Sequence, residues 1–138
     1  MQAVLFAVGK DRYGLPIEDV RQVVAAPVLT PLVTAPAGVR GLFNLRGEIV
    51  PLLDVATLLG LGPGSGVDSV VVVNTEHGPA GLAVNGVPKR AELGTPVGIS
   101  ELAGTTGTFL VDGQVVVLLD LEGVLDAMQR GHDRARTG

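Results

Sequence analysis

One stretch of this chain occurs twice. Val50-Pro-Leu-Leu-Asp54-Val-Ala-Thr-Leu-Leu59 aligns with Val116-Val-Leu-Leu-Asp120-Leu-Glu-Gly-Val-Leu125 at an offset of 66 residues. The turn pairs that precede them, Arg46-Gly47 and Asp112-Gly113, fall on each other at the same offset, and Gly14-Leu15 with Val20 falls on Gly81-Leu82 with Val87 at an offset of 67. A repeat constrains architecture before any single motif does, because both copies must fold as the same small unit. Each copy reads as strand, turn, strand, a variable segment, then a hairpin leading into a short helix.

The strands follow from composition and turn chemistry. Residues 3–8 and 69–73 are short Val-rich runs, and residues 111–120 carry two such runs around Asp112-Gly113. An Asp-Gly pair between β-rich runs is a strong two-residue hairpin signal, since Gly accepts the positive φ of the tight turn. Arg46-Gly47 plays the same part between residues 42–45 and 48–53. Asp54 and Asp120 each stand before apolar residues at helical spacing, where a carboxylate can cap the free N–H groups of a first turn. Capping explains both positions better than a catalytic pair does. Ile17, Val20 and Val23 recur at three-residue intervals, which predicts a helical turn or two over residues 16–24 with one apolar stripe.

The stretch Gly60-Leu-Gly-Pro-Gly-Ser-Gly66 has no periodicity and reads as the connection between halves. The expected organisation is one domain with pseudo-repeat subdomains at about 1–60 and 67–128, a surface connection over 94–107, and a polar tail over 129–138. In that tail Arg130, Arg134 and Arg136 are mixed with Asp133, as in a solvated terminus. Antiparallel modules of many short strands close into barrels to remove exposed edges, so the fold class is all-β, with two small barrels.

Composition bounds the function. With 46% hydrophobic and 17% charged residues in 138, and a mean hydropathy of +0.45, the chain can build a core. Its apolar residues are spread through short runs, none approaching the ~20 needed to cross a bilayer. No basic region or cleavage site opens the chain and no Cys suggests disulfides, so the cytoplasm is the expected compartment. A net charge of −4 with pI near 5.0 argues against nucleic acid, which needs clustered Lys and Arg.

Groups for chemistry are few. The histidines are His77, in a turn between two expected strands, and His132 in the tail, which with no Cys do not make a zinc site. Ser65, Ser69 and Ser100 lack a G-x-S-x-G elbow. The Gly60–Gly66 stretch lacks both the G-x-G-x-x-G spacing and a Lys-Ser/Thr pair, so it does not read as a phosphate loop. The expectation is a binding protein without catalysis, metal or cofactor.

The segment Gly41-Leu-Phe-Asn44-Leu-Arg46-Gly47-Glu-Ile-Val-Pro51-Leu-Leu-Asp54 closely resembles the hallmark of the CheW-like chemotaxis coupling family. Tyr13-Gly-Leu-Pro-Ile-Glu-Asp-Val-Arg-Gln-Val23, Ala35-Pro36, Gly81-Leu-Ala-Val-Asn-Gly-Val87 and the closing Asp112-Gly113 to Leu125 fall in that family's order, so the resemblance covers about residues 3–128. It implies two five-stranded SH3-like barrels with short helices, and a non-catalytic signalling adaptor that couples chemoreceptor cytoplasmic tips to the histidine kinase CheA. Such a protein is cytoplasmic and is recruited to receptor arrays at the inner face of the membrane. Carried over by position, the receptor-binding groove would involve Val4, Ile17, Val20 and Val23, and the receptor or kinase interface Gln22, Asn44 and Arg46. In some relatives the arginine of the N-L-R-G motif is accompanied by a Glu where this chain has Gln22. The fold alone leaves open an alternative, a stand-alone regulatory or small-ligand binding protein outside any kinase pathway.

Overall fold

The computed structural model describes residues 1–64, 66–99 and 104–126. The polar tail, Ser65, Ser100 and His132 lie outside the described residues.

Among the described residues, nine strands and two short helices follow the Val-rich runs and turn pairs of the sequence: β1 (Gln2–Val8), β2 (Asp11–Pro16), β3 (Val20–Ala25), β4 (Val39–Leu45), β5 (Glu48–Asp54), α1 (Val55–Leu58), β6 (Ser69–Thr75), β7 (Gly78–Glu92), β8 (Thr105–Val111) and β9 (Gln114–Leu119). Residues 121–126 form the second helix, α2. Strand β8 starts within the stretch 94–107 that was expected to be a surface connection.

The two hairpins of the repeat are superimposable in register. In β4–β5, Val39 faces Leu53, and the register shifts before Gly41 faces Leu52. In β8–β9, Thr105 faces Leu119, with the same shift before Gly107 faces Leu118. Arg46 and Asp112 hold the first turn position at φ 51° each, with Gly47 and Gly113 following at 91° and 77°. This is the pair of positive φ angles whose twist matches a two-residue hairpin. The Asp54 N–H donates to Gly38 O at 2.7 Å, and the Asp120 N–H to Gly104 O at 2.8 Å.

The barrels are not the sequence halves. β1 and β2 pair with each other, but β2 then runs parallel to β9 of the other half. Reciprocally, β6 and β7 pair with each other, while β5 of the first half runs parallel to β7. One barrel therefore has the order β7-β1-β2-β9-β8, and the other β3-β6-β7-β5-β4. Isolated bridges, Gly98 to Thr108 and Thr30 to Leu42, link the chain beyond β7 and beyond β3 to the far strand of each barrel. The expected boundary near residues 60–66 thus divides the sequence repeat but not the barrels. The reason is that each repeat's first hairpin finds its parallel partner in the other repeat. β7 serves both barrels, and it turns between them at Gly86, whose φ of 67° is left-handed and favours glycine.

Three apolar clusters result. Ala3, Leu5, Leu93, Phe109, Val116 and Leu118 fill one barrel, and Phe43, Val50, Leu52, Val70, Val72 and Ala83 fill the other. The largest cluster belongs to neither barrel: Phe6, Val8, Tyr13 and Leu15 meet Leu53, Val71, Val73, Leu82 and residues of both helices. Val70 to Val73 are all fully buried because alternate side chains point to opposite faces, one into a barrel and one into the inter-barrel core. That accounts for four consecutive valines where a half-exposed strand would alternate.

Candidate partner-binding surface

The expected helix over residues 16–24 is a single 3-10 turn, Ile17–Asp19, that no side chain caps. From Val20 the chain is β3, paired with β6 from Val20 opposite Val73 to Ala25 opposite Ser69. The β-branched residues Val20, Val23 and Val24 suit a strand, and β6 supplies an edge for them. The three-residue spacing therefore does not make one stripe, because side chains of a strand alternate between faces.

The candidate residues separate accordingly. Val4 is 5% exposed and lies in β1 between Leu15 of β2 and Arg90 of β7, so it supports a surface without forming one. Ile17 is half-buried in the turn that packs on β1. Val20 is half-buried against the inter-barrel core. Val23 is 43% exposed, and Gln22 beside it is half-buried.

Asn44 and Arg46 occupy the β4–β5 hairpin tip, both exposed. The Asn44 Oδ1 accepts the Gly47 N–H at 2.9 Å, so Asn44 shapes the turn that presents Arg46. Arg46 has no ion pair among the described residues. Gln22 stands where some relatives carry a Glu and offers Arg46 no charge; the ion pair between these elements is a different one, in which the Arg21 Nη2 donates to Glu48 Oε1 at 3.0 Å. Arg21 stands between Val20 and Gln22, and Glu48 directly follows the Arg46-Gly47 turn. The pair brings β3 and the β4–β5 tip to one side of the barrel. Sequence reading missed it because a pair 27 residues apart has no local signature.

The two capping aspartates differ. Asp54 holds the N-cap position but makes no side-chain cap hydrogen bond. Instead its Oδ2 accepts the Gly64 N–H at 3.0 Å and lies 3.5 Å from Arg40 Nη2. Asp120 is exposed. Asp19 of the 3-10 turn and Asp120 at the start of α2 line one groove, and burial, then Glu18, then Asp120 push the Asp19 carboxyl above its ordinary range.

A CheW-like domain model matches residues 2–129. The chain belongs to the CheW-like family. It is 26% identical over 139 residues to a chemotaxis protein CheW of Rhizobium meliloti, covering 94% of this chain and 90% of that one. Against CheW of Treponema pallidum it is 31% identical over 94 residues, or 64% of this chain, and spans about half, 55%, of that protein. The crystal structure of the scaffolding protein TtCheW from Thermoanaerobacter tengcongensis matches with a TM-score of 0.75 and 26% identity over 87% of this chain and 84% of the other. The two-barrel, mainly β architecture expected from the repeat is the fold of that CheW structure. The protein is accordingly a non-catalytic CheW-family scaffold in chemotaxis signalling. Among the described residues no helix is long and apolar enough to cross a membrane.

Proposed function

We propose that this chain couples the cytoplasmic tips of chemoreceptors to a CheA-type histidine kinase, working in the cytoplasm at the receptor arrays under the membrane. The observation that carries the site is the exposed Val23 on β3, tied through Arg21 and Glu48 to the hairpin that presents Arg46. The receptor contact centres on Val23, with Ile17 half-buried in the preceding turn, Val20 turned to the inter-barrel core and Val4 buried behind it. Gln22, Asn44 and Arg46 form the adjoining receptor or kinase contact. An apolar strand edge flanked by a cation suits an amphipathic receptor helix, which buries its apolar side chains and keeps its charges at the rim. Residues 1–126 act as one unit here, since both barrels draw strands from both halves.

Binding of Val23→Lys and Arg46→Ala to receptor-tip fragments and to the kinase of the same organism tests the reading. Burying one Val is worth about 1.5–3 kcal/mol, so Val23→Lys should weaken receptor binding by roughly tenfold to a hundredfold with its melting unchanged. Unchanged binding to both partners by both variants would overturn the assignment. Val20→Asp is the contrasting control: it reaches the inter-barrel core and should lower the melting temperature.

A further inference from the structure

Where the 3-10 turn, the β6–β7 hairpin and α2 meet, the surface opens into a groove of about 590 Å³. Its apolar lining includes Leu119, Leu121 and Leu125, and around these stand five carboxylates: Asp19, Glu76, Asp120, Glu122 and Asp126. None of the five joins an ion pair among the described residues. The Met1 α-ammonium also lines the groove, but it is held by Glu92 Oε1 at 2.8 Å. The acids act on one another: Asp19 resists ionisation through burial first and then through Glu18 and Asp120.

The repeat shows which group the second copy lacks. Arg40 stands in the register shift between Val39 and Gly41 of β4, and from there its Nη2 lies 3.5 Å from Asp54 Oδ2. The matching shift of β8 lies between Thr105 and Gly107, and the residue within it is Thr106, which lines the groove. The second copy therefore keeps the aspartate and the backbone position that would carry its cation, without the cation. A metal ion does not suit the role, because among the described residues no three His, Asp or Glu side chains are grouped to hold one. Separated carboxylates around an apolar floor complement cations spaced by apolar side chains, which is the chemistry of an amphipathic protein segment.

We propose that this groove binds a partner protein through a segment in which Arg or Lys side chains flank apolar ones. The apolar side chains pack on Leu121 and Leu125, and one cation stands to Asp120 as Arg40 stands to Asp54. The contact is separate from the one along β3 and the β4–β5 tip and does not rest on it.

A short synthetic peptide of alternating Leu and Arg, titrated into the full-length protein, is the probe. The amide signals of Asn74, Thr75, His77 and Thr106, all in the groove lining, should shift and saturate. Thr106 is exposed, so Thr106→Arg should leave melting unchanged, supply the cation in cis and weaken peptide binding about tenfold. Asp120→Asn with Asp126→Asn should weaken it roughly fivefold to thirtyfold. Asp11→Asn with Asp112→Asn removes the same charge from exposed positions outside the lining, and should change it by less than about twofold, because distant charges are screened. Equal losses in the two double variants would reduce the binding to general charge attraction and overturn the proposal. So would full binding to Thr106→Arg, or groove signals that shift on concentrating the protein alone and not on adding peptide, which would put a second copy there. Val23→Lys should leave the peptide titration unchanged, so this contact and the receptor contact on β3 fail separately.

Discussion

The unit β4–β5–α1 and the unit β8–β9–α2 share a register, a turn conformation and the backbone bond that closes each hairpin onto the preceding loop. They differ in how they use the aspartate at the helix start. In the first unit Asp54 is 9% exposed and is held by Gly64 and Arg40. In the second, Asp120 is exposed and faces a groove of other acids. Duplication preserved what the backbone needs and released the side chains, so one copy became an internal clamp and the other a surface.

The sharpest way to break the comparison is at the two inter-repeat seams. A methyl group on Gly81 would come within 2.7 Å of Val70 Cγ1 and 2.8 Å of Phe43 Cε1, whereas one on Gly14 would meet Leu5 Cδ2 at 2.9 Å. Leu5 can turn its end away, while Val70 and Phe43 fill a closed barrel. Gly81→Ala should therefore cost about 2–3 kcal/mol and Gly14→Ala about 1 kcal/mol in chemical denaturation. Equal costs would mean that the seams are packed alike.

The aspartates come next. Asp54→Ala leaves a part-buried N–H and a guanidinium without their carboxylate and should cost about 1–3 kcal/mol. Asp120→Ala removes at most a cap and should cost about 1 kcal/mol or less. A larger loss at Asp120, read from thermal melting, would make the second unit the structural one.

The turns should separate by less. Arg46 and Asp112 share φ 51°, but Asp tolerates this region better than a long side chain does. Arg46→Gly should gain about 0.5 kcal/mol, with Asp112→Gly near zero.

The smallest effect is that of Asp19. Its carboxyl is raised in the folded state, so its contribution to stability is present below the ordinary carboxyl range and is lost as pH rises through the raised value. At neutral pH the charge is a cost. Asp19→Asn should then stabilise by a few tenths of a kcal/mol, limited by solvent screening, and the gain should vanish in acid. A gain that persists at low pH would assign the effect to packing.

The sequence by itself determined the repeat, its turns, its valine runs and the family pattern, because these depend on local φ preferences and on which faces are apolar. It placed Arg46 and Gly47 at a hairpin turn, since a two-residue turn is read locally, but not the Asn44 side chain that accepts the Gly47 N–H. Tertiary structure decided the rest. A three-residue apolar spacing fits a helix and a half-buried strand almost equally, and only the presence of β6 as a partner made residues 20–25 a strand. Local signals also carry no record of which copy a hairpin pairs with, so the exchange of strands between barrels was not legible. The Arg21 to Glu48 pair and the acidic groove had the same fate: their members come from separate elements, and only the folded topology brings the charges together.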